Sequence, residues 1–167
     1  MPERVLVLRW EAMRRSFAPF VTGGYMDEQS DQVVPAWFWI AAVLALLWEA
    51  VGCFMYVTQV TTDPASLPID QRAMWNATPA WIVGAYAIAV WVGLAGAVLL
   101  LMRRKLAEPL LLVSLLAVVV QFGGVLLVPA LRQVTPDSAY TFPIVIFVVC
   151  YGIYMLSRRA RKQGWLR

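Results

Sequence analysis

The stretch Trp37–Val60, WFWIAAVLALLWEAVGCFMYVTQV, decides the fold of this chain. Its 24 residues are almost all apolar, and as an α-helix they would rise about 36 Å at ~1.5 Å per residue. That length is enough to cross the ~30 Å hydrocarbon core of a bilayer. A single carboxylate, Glu49, lies at the centre of the stretch. The stretch therefore predicts a membrane-spanning helix with one acidic side chain near mid-membrane.

Helical periodicity separates two faces of this predicted helix. The face that contains Glu49 carries small or polar residues: Ala42, Ala45, Gly52, Cys53 and Tyr56. The opposite face carries large apolar residues: Ile40, Leu44, Leu47, Val51 and Phe54. We expect the apolar ridge to face lipid and Glu49 to point into a helix bundle. A charged side chain at this depth costs roughly 2.5–3.5 kcal/mol, so Glu49 needs a partner, a proton or water.

The composition of the whole chain is that of a membrane protein. Its 167 residues are 61% hydrophobic and 14% charged, against about 25% charged in an average soluble domain. The chain has no histidine, and both cysteines, Cys53 and Cys150, lie in apolar stretches. These features exclude His-ligated haem or zinc and a Cys-x-x-Cys site, so we expect neither a metal nor a cofactor. The basic residues flank apolar stretches, a pattern that indicates a lipid bilayer rather than nucleic acid as the partner.

Three further apolar stretches predict an all-α, four-helix antiparallel transmembrane bundle over residues 35–157. A proline stands at the opening of each span (Pro35, Pro79, Pro109 and Pro143), where its missing N–H breaks no helical hydrogen bond. Thr78 is a candidate cap at the start of the second span. Residues 158–167 are expected to form a basic tail. The four predicted spans are 37–60, 81–102, 110–131 and 140–157.

The N-terminal segment, residues 1–34, supports two interpretations. Its apolar residues share one face of a helical wheel, which favours a helix lying on the membrane surface. Alternatively, Gly23-Gly24-Tyr25-Met26 is what a ribosome-binding sequence followed by a start codon would encode, so the natural product would begin at Met26. Both alternatives remain open from the sequence.

The distribution of Lys and Arg predicts the topology. Twelve of these residues fall in the N-terminal segment, the loop between the second and third spans, and the C-terminal tail. The other two loops contain only Arg72 and Arg132. The positive-inside rule therefore places both termini in the cytoplasm.

The second span carries small residues at a strict spacing of four: Ala85, Ala89, Gly93 and Ala97. Such a ridge lets two helices approach closely. Two interpretations are open, packing within the bundle or an interface with a second copy or another membrane protein.

An intramembrane polar site is predicted around Glu49. Counting each span from its membrane entry places Trp91, Gln121 and Cys150 at the same depth, and Tyr56 lies on the Glu49 face. No span contains Lys, Arg or His, so Glu49 is expected to be neutral and to donate a hydrogen bond to Gln121 or to a backbone carbonyl. One hypothesis is a structural clasp between Glu49 and Gln121. The other is a site that couples protons to solute movement.

Several short motifs resemble a group of small uncharacterised four-helix bacterial inner-membrane proteins, often labelled sugar transporters. They are Tyr56-Val57-Thr58-Gln59 near the end of the first span, Thr78-Pro79-Ala80-Trp81 before the second, and a central Gln121 in the third. The resemblance covers about residues 35–167 and implies a four-helix fold and transport. Glu49 stands where that group is expected to have Asn.

Two functions follow as hypotheses. The first is a non-catalytic inner-membrane protein that acts through helix packing, as an accessory subunit of a larger membrane complex. The second is a small-solute, sugar-like or proton-coupled transporter that works as an oligomer around Glu49, since four short spans should enclose little volume. No nucleophile–base pair or phosphate-binding loop is recognisable, so no catalytic residue and no enzyme activity are predicted.

Overall fold

A computed structural model of the chain describes residues 33–135 and 141–167. Helices occupy most of these residues, and no strand occurs among them. In chain order the helices are α1 (Ala36–Thr61), α2 (Ile69–Ala77), α3 (Ala80–Leu101), α4 (Ala107–Leu127), α5 (Pro129–Val134) and α6 (Thr141–Lys162).

Four of these helices, α1, α3, α4 and α6, are long and apolar enough to cross a membrane. The prediction of an all-α protein with four membrane-spanning helices is confirmed. The predicted surface helix in residues 1–34 and the alternative start at Met26 lie outside the described residues.

The third span ends earlier than the sequence predicts. The predicted range was 110–131, but α4 stops at Leu127 and the separate helix α5 begins at Pro129. Proline disfavours helical backbone in the residue before it, and Val128 accordingly adopts φ −87° and ψ 110°. The apolar run continues past this point, so hydropathy alone does not reveal the break.

The fourth helix ends later than predicted. α6 continues through the basic residues Arg158–Lys162, which were assigned to a tail. Its end is a Schellman motif, in which the Trp165 N–H donates to the Ala160 carbonyl at 2.9 Å. Gly164 supplies the required positive φ of 69°. Thr78 is also placed differently: it ends α2, and its hydroxyl donates to the Met74 carbonyl at 2.7 Å.

Glycines allow α3 and α4 to pack closely along their length. A Cβ atom on Gly96 would lie 2.8 Å from Leu111 Cγ, and one on Gly124 would lie 2.8 Å from Ile82 Cδ1. Real Cβ atoms do not come this close to a neighbour, so a larger residue at either position would force the facing side chains to shift. α3 also packs against α1, and α4 packs against α6. The four long helices therefore form a series in which α1 and α6 are the outer members.

One end of the bundle is closed by the C-terminal segment. The Trp165 ring packs edge-on against Trp37 and Phe38 at the start of α1, with ring centroids 5.6 Å apart in each pair. The backbone carbonyl of Trp165 accepts a 2.8 Å hydrogen bond from Arg103 Nε in the α3–α4 turn. The Arg161 guanidinium also pairs with the Glu108 carboxylate at 2.8 Å. The start of α1 and the end of α6 thus meet at this end.

The opposite end is organised by the connection between α1 and α3. Arg72 on α2 donates from Nε to the Pro64 carbonyl at 3.0 Å and from Nη2 to the Leu67 carbonyl at 3.2 Å. α2 packs against α5. Arg72, one of the two basic residues on the predicted outer side, therefore stabilises the loop that precedes α2.

Candidate functional site

Glu49 is buried near the middle of α1, with only 5% of its surface exposed. Ala42, Ala45 and Cys53 are buried on the same face. The large apolar residues that the helical wheel placed opposite are all exposed. The predicted division of α1 into a buried and an exposed side is confirmed.

The carboxyl group of Glu49 lies against the backbone of Gly93 on α3. A Cβ atom at position 93 would overlap Glu49 Oε2, and it would lie 2.8 Å from Ser114 Oγ on α4. Ser114 itself donates its hydroxyl hydrogen to the Ala89 carbonyl at 2.7 Å. The missing side chain at Gly93 thus provides the space in which Glu49 of α1 approaches Ser114 of α4.

A half-open cavity of about 540 Å³ reaches Glu49. Its walls come from α1 and α6, which are not closely packed against each other, and its floor comes from α3 and α4. The lining residues are Trp48, Glu49, Val51, Gly52, Met55, Gln59, Tyr86, Ala89, Val90, Ser114, Val118, Gln121, Phe122, Phe142, Ile146 and Cys150.

The structure brings only part of the predicted polar site together. Gln121 is half-buried and lines the same cavity as Glu49. Tyr56 is not among the lining residues and packs edge-on against Tyr86, with ring centroids 5.3 Å apart. Trp91 is also absent from the cavity, and 49% of its surface is exposed. Its depth along the span matched Glu49, but depth does not determine on which side of the helix a residue lies.

The small residues of the second span face inward. Ala85, Ala89, Gly93 and Ala97 are all buried within this chain. Of the two interpretations of the ridge, packing within the bundle is the one that the burial supports.

The direct clasp between Glu49 and Gln121 is not formed. The two side chains share a cavity, but no hydrogen bond joins them, and within residues 33–135 and 141–167 none reaches the Glu49 carboxyl group. Nor does any lining residue carry a positive charge. Glu49 is therefore an acidic group without a partner in the part of the chain that the structure describes.

Both cysteines are free and buried near the cavity. The Cys53 thiol donates a hydrogen bond to the Val90 carbonyl at 3.3 Å, so its buried sulfur has a hydrogen-bond partner. Cys150 lines the cavity on α6. Over the described residues, no group of three or more His, Cys, Asp or Glu side chains could hold a metal ion.

Several lining residues were not identified from the sequence. The aromatic side chains Trp48, Phe122 and Phe142 come from three different helices and meet only around this cavity. Gln59 appeared in the sequence only as part of a family-like motif. Helical periodicity describes one helix at a time. The sequence therefore offered no signal that residues from α1, α4 and α6 would meet at this cavity.

A second cavity of about 530 Å³ adjoins the first at the C-terminal end of α1. Met55 and Gln59 line both cavities, and α2 closes the second one from the far side. Its polar lining residues are Thr58, Gln59, Thr62, Gln71 and Thr78. The two cavities are therefore neighbours, one at the loop end of α1 and the other beside Glu49.

Comparison with protein families, with curated proteins and with solved structures finds no match to this chain at a significant level.

Proposed function

We propose that this chain is a proton-coupled carrier of small solutes in the bacterial inner membrane, with both termini in the cytoplasm and Glu49 as the coupling group. The observation that carries the proposal is the cavity of about 540 Å³ that ends on this carboxyl group. Small-molecule sites typically measure ~300–1,000 Å³ and combine apolar walls with a few polar groups. Among the described residues, no hydrogen bond reaches Glu49 and no basic side chain lines its cavity, which suits an intramembrane acid that exchanges a proton for a ligand.

Two features of the fold support movement of a solute through the site. The second cavity extends the first towards the loop end of α1, through the shared residues Met55 and Gln59. The helix break at Val128 also interrupts the span that carries Gln121. Carriers commonly place their sites beside discontinuous helices, and this break follows Gln121 by seven residues at the end of α4.

The binding site in this proposal belongs to one chain. The sequence suggested that an oligomer would be needed, because four short spans should enclose little volume. Since α1 and α6 are not closely packed against each other, the single chain already contains a cavity of ligand size. A homo-oligomer remains compatible with the proposal, but the site does not need one.

The lining argues against a sugar as the solute. A sugar presents hydroxyl groups around its whole ring, and each buried hydroxyl needs a hydrogen-bond partner. Beyond Glu49, Gln59 and Gln121, the lining is mostly apolar or aromatic, and the hydroxyl hydrogens of Ser114 and Tyr86 are already donated to the Ala89 and Gly52 carbonyls. The proposed solute is mostly apolar.

The alternative is an accessory subunit that acts through helix packing. The small-residue ridge was its best candidate interface, and the burial of that ridge within the chain weakens this alternative. It would be favoured if the protein copurified from native membranes with stable partners and moved no solute.

The test is a flux measurement in proteoliposomes that contain a pH-sensitive dye. Gradients of glucose, benzoate and a quaternary ammonium ion are imposed in turn, and the signal of protein-free liposomes is subtracted, because neutral benzoic acid crosses a bilayer by itself. We expect at least one to drive proton movement in the wild type and not in Glu49→Gln. The control is Glu108→Gln, the same change at an acid outside the cavity. Failure of all three gradients, or equal flux in Glu49→Gln, would contradict the carrier proposal.

A further inference from the structure

The chemistry of the cavity selects the charge of its ligand. Glu49 is 5% exposed, lines the cavity and receives no hydrogen bond from the described residues. None of the sixteen lining residues is Lys, Arg or His. Burying an acid without a partner is costly, so the carboxyl group must hold a proton or face a positive charge. A ligand that replaces the proton is therefore a cation.

The remaining lining residues select the kind of cation. A metal ion would need about six oxygen ligands if it were Ca²⁺ or Mg²⁺, whereas the side chains near Glu49 are mostly apolar. Trp48, Tyr86, Phe122 and Phe142 contribute aromatic surface. Aromatic faces attract organic ammonium groups and also pack against apolar groups. The lining thus fits an organic cation with an apolar body.

The mouth of the cavity indicates how such a ligand arrives. Val51, Met55 and Phe142 line the cavity and are each more than half exposed. They lie on α1 and α6, the two outer helices that do not pack closely against each other. In a bilayer, a gap between two apolar helices opens sideways to the lipid. A ligand that dissolves in the membrane could enter by this route.

We infer that the cavity binds a membrane-soluble monovalent organic cation, whose charged nitrogen displaces the proton from Glu49. The inference rests on the proposed carrier function and names the class of its solute. Binding converts the carboxylic acid into a carboxylate paired with the cation and releases one proton to water. The other titratable groups around Glu49 are Cys53 on α1, Tyr86 on α3 and Cys150 on α6, and α4 contributes only the neutral Ser114 and Gln121.

The test measures binding of radiolabelled benzyldimethyloctylammonium to the full chain in nanodiscs by equilibrium dialysis, with empty nanodiscs subtracted. The charge of this probe does not change with pH, so any pH effect comes from the protein. We expect saturable binding that weakens as the pH falls, towards about tenfold per pH unit once the carboxyl group is protonated. Octylbenzene, which has the apolar groups without the charge, should compete at least about tenfold less well, a difference of about 1.4 kcal/mol.

Two variants test whether Glu49 is the group responsible for probe binding and its pH dependence. Glu49→Gln should weaken probe binding by about tenfold or more and remove its pH dependence. Glu108→Gln should change the affinity less than about twofold. If Glu49→Gln does not fold, as judged by size-exclusion chromatography and circular dichroism, Glu49→Asp should still bind with pH dependence. Absence of saturable binding, equal binding by a folded Glu49→Gln, equal competition by octylbenzene, or binding independent of pH would each overturn the inference.

The binding test and the flux test of the carrier proposal can fail independently of each other. Glu49-dependent binding of the probe without flux would refute transport and keep the ligand class. Glu49-dependent flux of glucose or benzoate without probe binding would keep transport and refute the ligand class.

Discussion

At the scale of single residues, the site depends on the close contact between the Glu49 carboxyl group and Gly93. The carboxyl group occupies the space that a side chain at position 93 would need. Its nearest polar neighbour across that space, Ser114, already donates to Ala89. Among the described residues no hydrogen bond reaches Glu49, so its position depends on the shape of the space at Gly93, and the consequences can be measured at both positions.

Replacing Glu49 with Leu should not destabilise the protein. A buried acid without a partner lowers stability, and an apolar side chain of similar size removes that cost. We expect the free energy of unfolding to stay the same or rise by up to about 3 kcal/mol, while any proton-coupled flux is lost. Thermal unfolding in detergent and the flux assay check the two effects. A clear loss of stability would instead support the Glu49–Gln121 clasp.

Replacing Gly93 with Ala should destabilise the bundle. The new methyl group would overlap the Glu49 carboxyl and crowd Ser114, and overpacking of this kind costs about 1–3 kcal/mol. Gly84→Ala on the same helix is the matched control, because a Cβ there meets nothing within 4 Å. Thermal unfolding of both variants in one detergent provides the comparison. Equal stability of the two variants would show that Glu49 moves aside freely.

At the scale of elements, the structure differs from the sequence prediction at the ends of two helices, α4 and α6. Pro129 ends α4 within an apolar run, and Gly164 ends α6 well beyond the apolar run. In both cases the backbone chemistry of one residue decides the boundary. The C-terminal turn matters further, because it places Trp165 on the closed end of the bundle.

Replacing Gly164 with Ala should loosen this closed end. The residue adopts a φ of 69°, which costs an L-residue roughly 1–2 kcal/mol, and no atom lies near enough for a steric clash to contribute. Gly152→Ala, within α6 and also free of neighbours, is the control and should not lower stability. Thermal unfolding and quenching of tryptophan fluorescence measure the effect. Unchanged stability in Gly164→Ala would mean that the turn does not hold the end of α6.

At the scale of the whole molecule, the closed end gathers most of the basic residues of the described chain, with Arg72 and Arg132 outside it. The α3–α4 turn and the C-terminal half-turn of α6 meet there, joined by the Arg103–Trp165 and Arg161–Glu108 contacts. The sequence predicts that this end faces the cytoplasm, because Lys and Arg are retained on that side.

Cysteine labelling checks this orientation. In a background without Cys53 and Cys150, Ser66→Cys and Lys162→Cys both place a thiol at an exposed position. A membrane-impermeant maleimide added to sealed spheroplasts should label position 66 and not position 162. After permeabilisation it should label both. Labelling of position 162 in sealed spheroplasts would reverse the topology.

The sequence by itself determined the four spans and the inward direction of Glu49. Length, hydropathy and helical periodicity are properties of one segment at a time, and a bilayer makes them decisive because every backbone group must be satisfied within the helix. The inward face of α1 could be read in this way from Ala42, Ala45 and Cys53.

Only the tertiary structure decided what surrounds Glu49. The cavity lies between α1 and α6, which meet at the closed end but are not closely packed against each other, and neither helix encodes that arrangement alone. The same packing turned Trp91 outward, brought Phe122 and Phe142 to the cavity, and left Glu49 without the partner that depth counting suggested. Contacts between helices depend on the rotation and tilt of both partners, and hydropathy specifies neither.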